Sequence, residues 1–130
     1  MAGELAVIKE NWLELSDHTR ELPKPFEHEV LLMECHVAGT MYIDDVLAKA
    51  EKIVIGTPLV LRRDPKNECD KNAIGIYTTA NEHIGWIPMK KNQIIARLMD
   101  AGKLMVAKVV KKELEDHWLN MRVEVFLKDI

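Results

Sequence analysis

Short apolar runs, each cut off by turn residues, leave this chain little room for anything but a small antiparallel sheet. Glu29 to Val37 opens the pattern with Val30, Leu31, Leu32, Met33 and Val37, and Gly39-Thr40 ends it. Gly56-Thr57-Pro58 turns the chain into a strand at Leu59–Arg63, and Asp64-Pro65-Lys66-Asn67 turns it out again. Asn72–Thr78 and His83–Ile87 follow as strands, separated by Ala80-Asn81-Glu82, and Pro88 stops the second. Leu104–Val110 and Leu119–Leu127 close the chain. In the last of these, Met121, Val123, Val125 and Leu127 alternate with Arg122, Glu124 and Phe126. That is the period of a strand with one buried face, and Phe126 is its exception. Strands this short at this spacing predict a mainly β (α+β) fold, a small antiparallel sheet or barrel of about six strands.

Two or three short helices decorate it. Ile43–Ala50 carries Val46, Leu47 and Ala50 at helical spacing, with Asp44 and Asp45 early, where acids suit the helix dipole. Asn92 is placed to cap a helix over Gln93–Asp100, and Gly102 to stop it in the left-handed conformation. At the N-terminus, Leu5, Ile8, Trp12 and Leu15 give Gly3–Leu15 an apolar helical stripe, and Pro23-Lys24-Pro25 then stiffens and breaks the chain. Residues 1–25 therefore read as a helical arm and 26–130 as the domain. The arm either packs over one end of the core or docks a partner.

A chain of 130 residues with 48% hydrophobic and 30% charged side chains has the balance of one globular domain. No apolar run approaches the roughly 18 residues of a membrane span, and the acids Glu4 and Glu10 do not suit a secretory leader. Cys35 and Cys69 make no disulfide framework, and neither has a second Cys at zinc-ligand spacing. Reduced thiols in the cytoplasm are the expectation. The net charge of −3 conceals a gradient. Residues 1–57 hold 5 bases and 11 acids (−6), residues 58–103 hold 8 and 5 (+3), and residues 104–130 hold 5 and 5 (0). An anionic ligand should prefer the middle third.

That middle third also carries a resemblance. Leu59-Val60-Leu61-Arg62-Arg63-Asp64-Pro65-Lys66-Asn67-Glu68-Cys69-Asp70-Lys71-Asn72-Ala73-Ile74 resembles the signature of the HIRAN family, an apolar strand followed by R-(D/E)-P-x-N-x-(aromatic)-D-x-x-A-I. His83-Ile84-Gly85-Trp86-Ile87-Pro88 is similar to the family's second block, and Asn92 to Gly102 to its helix ending in D-A-G. His36-Val37-Ala38-Gly39-Thr40 resembles the opening strand of stand-alone bacterial members. The blocks fall in order across roughly residues 29–127. The resemblance implies an OB-like barrel, a shape that often binds single-stranded nucleic acid. In eukaryotic members the domain sits on fork-remodelling helicases. There it is implied to hold a DNA 3′ end, with an acid on the terminal hydroxyl, aromatics on the last bases and cations on phosphates.

Carried over residue by residue, the resemblance puts Asp70 at the acidic position. Its carboxylate can accept from a terminal 3′-OH and repel a terminal phosphate, or it can cap the turn after Asn67. Arg63 holds the basic position, either on a phosphate or bridging to Asp64 or Asp70 to stiffen the loop. Asn67 is a ligand contact or a turn residue. Lys71, Lys90 and Lys91 are candidate phosphate contacts or solvated surface. Trp86 keeps an aromatic in the second block, and His36 can stack on a base or serve as a half-buried spacer. Two departures stand out: Cys69 replaces the aromatic before the acid, and His36-Val37 replaces the paired aromatics of the opening strand.

Other chemistries fit less well. Asp64, Glu68 and Asp70 could hold Mg²⁺, but they share one turn with Arg63 and lack calcium-loop spacing. Cys35 and His36, as strand neighbours, point to opposite faces and make no catalytic dyad. No enzyme, metal or cofactor is expected. The sequence supports a module for single-stranded DNA or DNA 3′ ends in repair or replication, possessing no membrane partner and working with a helicase or nuclease. The rival reading is a protein-interaction or scaffold domain without direct nucleic-acid contact.

Overall fold

The computed structural model describes residues 28–115 and 118–129. The helical arm expected at residues 1–25 lies outside them. Six strands form one sheet: β1 (His28–His36), β2 (Pro58–Arg63), β3 (Ile74–Tyr77), β4 (His83–Trp86), β5 (Leu104–Glu115) and β6 (Trp118–Asp129). Their order is β1-β6-β5-β2-β3-β4, and every pairing is antiparallel. The expected mainly β fold with short helices is what forms, as a half-barrel.

Curvature comes from irregular register. The ladder shifts between Leu31 and Met33, between Val109 and Lys111, and between Ile76 and Tyr77. An extra residue on one strand bends it and raises its twist. The sheet curls far enough that β4 meets the chain leaving β1. The Ala38 N–H donates to the Trp86 carbonyl at 2.8 Å, and the Trp86 N–H to the Ala38 carbonyl at 2.9 Å. This close approach needs Gly85, because a Cβ there would collide with Val37 Cγ1 and sit 2.8 Å from the Ala38 oxygen.

The concave face is the core. Leu59, Ile74, Ile76, Ile84, Met121, Val123 and Val125 are all within 1% of complete burial. Cys35 joins them, and the fully buried thiol is held above its ordinary pKa by desolvation. Its neighbour His36 is exposed on the opposite face. Of the helix expected over Ile43–Ala50, only α1 (Val46–Ala50) forms, with Asp45 before it at φ 56°, and a separate 3-10 turn (Thr40–Tyr42) precedes the expected span. Lys112 Nζ donates to the carbonyls of Ala50 at 2.5 Å and Ile53 at 2.7 Å, so a cation closes the C-terminal end of α1.

α2 (Asn92–Asp100) ends as expected. Gly102 has φ 90°, its N–H donates to Met99 O, and the Lys103 N–H donates to Leu98 O. Its start differs. Lys91 occupies the cap position and Asn92 is the first helical residue, 1% exposed, with its amide turned away from the helix end. The amide has a stronger partner in the acid described next.

Candidate functional site

Arg63 ends β2 and pins the loop that follows. Its Nε and Nη2 grip the two oxygens of Asp100 at 2.9 and 3.2 Å, Nη1 donates to Ala73 O at 2.8 Å, and Nη2 donates to Lys71 O at 3.1 Å. The guanidinium holds the Asp100 carboxyl below its ordinary pKa. Arg63 therefore ties β2, the loop and the end of α2 together, with most of its donors committed.

Within the loop, Asn67 Oδ1 accepts from the N–H groups of Cys69 at 2.9 Å and Asp70 at 3.0 Å, and Nδ2 donates to Asp64 at 3.2 Å. This is an Asx turn, and it aims Asp70. Asp70 Oδ1 accepts from the Asn72 N–H at 2.9 Å, and Oδ2 accepts from the buried Asn92 amide at 2.7 Å. Each carboxylate oxygen has two acceptor sites, so each keeps capacity for a further donor.

Asp70 borders a cleft of about 400 Å³ lined by Ala38, Gly39, Tyr42, Asn67, Cys69, Asp70, Ala73, Trp86, Ile87 and Met89. That volume lies within the range of about 300–1,000 Å³ typical of small-ligand sites. Trp86 forms one side. Gly39, at φ 70°, packs on it so tightly that a Cβ would lie 2.5 Å from ring carbon Cε3. His83 supports the indole edge-on at 4.5 Å, and Tyr77 stacks on His83 at 4.6 Å. His83 Nε2–H donates to Gly85 O at 2.8 Å, which fixes its tautomer. Burial holds this imidazole below its ordinary pKa.

Of the residues singled out in the sequence, the structure brings Asp70, Asn67 and Trp86 together in the cleft. Arg63 lies behind the loop as its brace. Lys71 is exposed beside Asp70, while Lys90 and Lys91 border a separate hollow with Met33, Gln93 and Ile94. His36 lies on the outer face, opposite Arg122. Tyr42 and Met89 line the cleft as well, and neither stood out in the sequence. Tyr42 is 77% exposed and Met89 61%. Tyr42 lies two residues beyond the His36–Thr40 block. An aromatic so close to a signature block, in a chain with only two Tyr, three Trp and two Phe, was the available signal. Among the described residues, no three of His, Cys, Asp or Glu gather as a metal site.

The fold and the cleft together define a small half-barrel binding module, with one anchored carboxylate between aromatic and apolar walls. The HIRAN domain model matches residues 30–128, and the chain belongs to the HIRAN domain family, whose domain is a non-catalytic binding module. No curated protein matches the chain. Among solved structures, a protein from Lactobacillus plantarum is similar with a TM-score of 0.74 and 26% identity, over 79% of this chain and 98% of that one. The crystal structure of the human HLTF HIRAN domain is similar with a TM-score of 0.59 and 22% identity, over 76% of this chain and 78% of that one. The HLTF HIRAN domain in its DNA-bound conformation gives a TM-score of 0.54 and 22% identity, over 88% and 84%.

Proposed function

We propose that the cleft binds the end of a DNA single strand in repair or replication, with Asp70 accepting from a free 3′-OH. The observation that carries this reading is the gathering of Asp70, Asn67, Trp86 and Tyr42 around one cleft. Tyr42 offers an exposed ring and Met89 a polarisable side chain on which a base can stack, and these take the place of the aromatic lost at Cys69. Lys71, exposed and next to Asp70 in the chain, supplies a phosphate contact at the margin. A HIRAN relative solved in a DNA-bound conformation supports the ligand class.

Among the described residues, no cation lines the cleft itself. That observation favours a second reading, an apolar segment of a partner protein. Fluorescence anisotropy separates the two. The ligands are a labelled single strand with a free 3′-OH, the same strand with a 3′-phosphate, and a blunt duplex. Tighter binding of the free 3′-OH strand, weakening steeply with salt, is expected. Equal binding of both single strands would leave a generic phosphate site, and no binding of any would favour the protein partner.

A further inference from the structure

Among the described residues, three polar side chains are buried: Thr40, Thr78 and Asn92. The two threonines serve the backbone. Thr40 Oγ1–H donates to Leu119 O at 3.2 Å, and Thr78 Oγ1 accepts from the Glu82 N–H at 3.1 Å. Asn92 instead serves a half-buried charge. Its Nδ2 donates to Asp70 Oδ2 at 2.7 Å, and among the described residues nothing donates to its Oδ1. A buried acceptor without a partner weighs against the fold. Alanine would remove that burden and is the better helix former. Stability alone therefore gives little reason for an asparagine at the start of α2, and its one partner lies at the cleft.

We propose that Asn92 is the positioning residue of the cleft, aiming the Asp70 carboxylate so that a strand is recognised by the hydroxyl at its end. The inference rests on the reading of the cleft given above. A single bond, from the Asn72 N–H to Oδ1 at 2.9 Å, would let the carboxylate pivot. The second bond, from Asn92 to Oδ2, fixes the plane of the group and with it the direction of the acceptor sites that remain. α2 is a firm support for that donor. Ile95 and Ala96 are fully buried, and Arg63 grips Asp100 at the far end of the helix at 2.9 Å. Direction does not matter equally to all strand ends. The hydrogen bond of a hydroxyl weakens steeply when misaligned, whereas the repulsion of a phosphate depends on distance. Asn92 thus governs the preference for a hydroxyl, and the charge of Asp70 governs the rejection of a phosphate.

Anisotropy on the full chain tests it, with three labelled single strands of one sequence that end in a 3′-OH, a 3′-H or a 3′-phosphate. The parent should prefer the 3′-OH to the 3′-H strand by about tenfold, as one hydrogen bond to a charged group provides. In Asn92→Ala that preference should fall to about twofold or less, while the melting temperature stays within about 3 °C of the parent's. The 3′-phosphate strand should still bind more weakly than the 3′-H strand, because the charge of Asp70 remains. Asn92→Ser is polar, suits a helix start and is too short to reach Asp70, so it should behave alike and decides the matter if the alanine variant does not fold. An unchanged preference for the 3′-OH, or equal weakening of all three strands as from a merely structural residue, would overturn the proposal. A parent that binds the 3′-OH and 3′-H strands equally would overturn the reading of the cleft itself, and this proposal with it.

Discussion

The loop from Asp64 to Ala73 and the turn from Gly39 to Ile43 both border the cleft, and they are held in different ways. The loop is fixed by side chains: Arg63 donates four hydrogen bonds, Asn67 takes part in three, and Asp70 accepts two. The turn is fixed mainly by backbone, with Tyr42 N–H to Gly39 O at 3.0 Å and Ile43 N–H to Thr40 O at 3.1 Å. Its outward side chains Met41 and Tyr42 are free of the core. One wall has its polar geometry set before any ligand arrives. The other offers adaptable apolar surface. Substitutions on the first wall should therefore cost stability as well as binding, and substitutions on the second should cost binding alone.

Arg63→Ala makes the largest break. The side chain is 14% exposed, and its loss removes the links from β2 to the Ala73 and Lys71 carbonyls and to α2. Urea unfolding should show a loss of about 1–2 kcal/mol, because Ala73 O keeps the Asp64 N–H, Lys71 O is open to water, and the exposed Asp100 pair is screened. Arg63→Lys should recover little, since an ammonium cannot reproduce the fork. Tyr42→Ala in the same assay should stay within about 0.5 kcal/mol. Equal losses from the two would erase the distinction between the walls.

Tyr42→Ala should instead appear in binding. Losing one stacked base costs about 1–2 kcal/mol, a drop of roughly 5–30-fold in affinity for a single strand at unchanged melting temperature. An unchanged Kd measured by anisotropy would remove the turn from the site. Asp70→Asn makes a smaller and sharper change. It removes the charge and puts an NH2 donor where one oxygen accepted, so the Asn92 amide must turn over for both hydrogen bonds to persist. The preference for a 3′-OH over a 3′-phosphate strand should fall by about tenfold or less, as befits one charge–phosphate contact. If the two strands still differed as before, the discrimination would lie elsewhere.

These contrasts explain what could be read in the sequence. Strands, turns and the end of α2 were legible because they rest on local signals: alternation in β6, Pro and Gly punctuation, and Gly102 at φ 90°. Asp70, Asn67 and Trp86 were legible because they sit in contiguous signature blocks. The Asn92 amide was misplaced as a helix cap because its partner, Asp70, is 22 residues away in the chain. Arg63 was read as a brace or a phosphate contact. Its main carboxylate partner, Asp100, is 37 residues distant and was out of reach of local reasoning. Phe126 broke the β6 pattern because it faces outward beneath Lys108, and only the register with Val106 and Leu31 shows its place. Tyr42 was missed because the barrel closure at Ala38 and Trp86, which brings the turn to the cleft, joins residues 48 apart.

The smallest expected effect concerns the strut behind the aromatic wall. His83 is packed between Tyr77 and Trp86, and desolvation holds its folded pKa below the unfolded value of about 6.5. The Gly85 carbonyl and Asp64 pull the other way, and Lys49 adds to the lowering. The neutral ring is thus the form the fold favours. Above the unfolded pKa both states carry it neutral, and its full contribution is present. As the pH falls below that value, the unfolded chain binds the proton first and stability declines, until the pH passes below the folded pKa and the contribution is gone. His83→Gln should remove this part of the acid-side slope in urea midpoints measured between about pH 7.5 and 5, around the ordinary histidine range. Because His83 supports Trp86 but not Tyr42, the same acidification should weaken binding in the Tyr42→Ala variant by the same factor as in the parent chain. A pH effect on binding that vanished in Tyr42→Ala would mean that the two aromatic walls respond as one unit, with the strut acting through both.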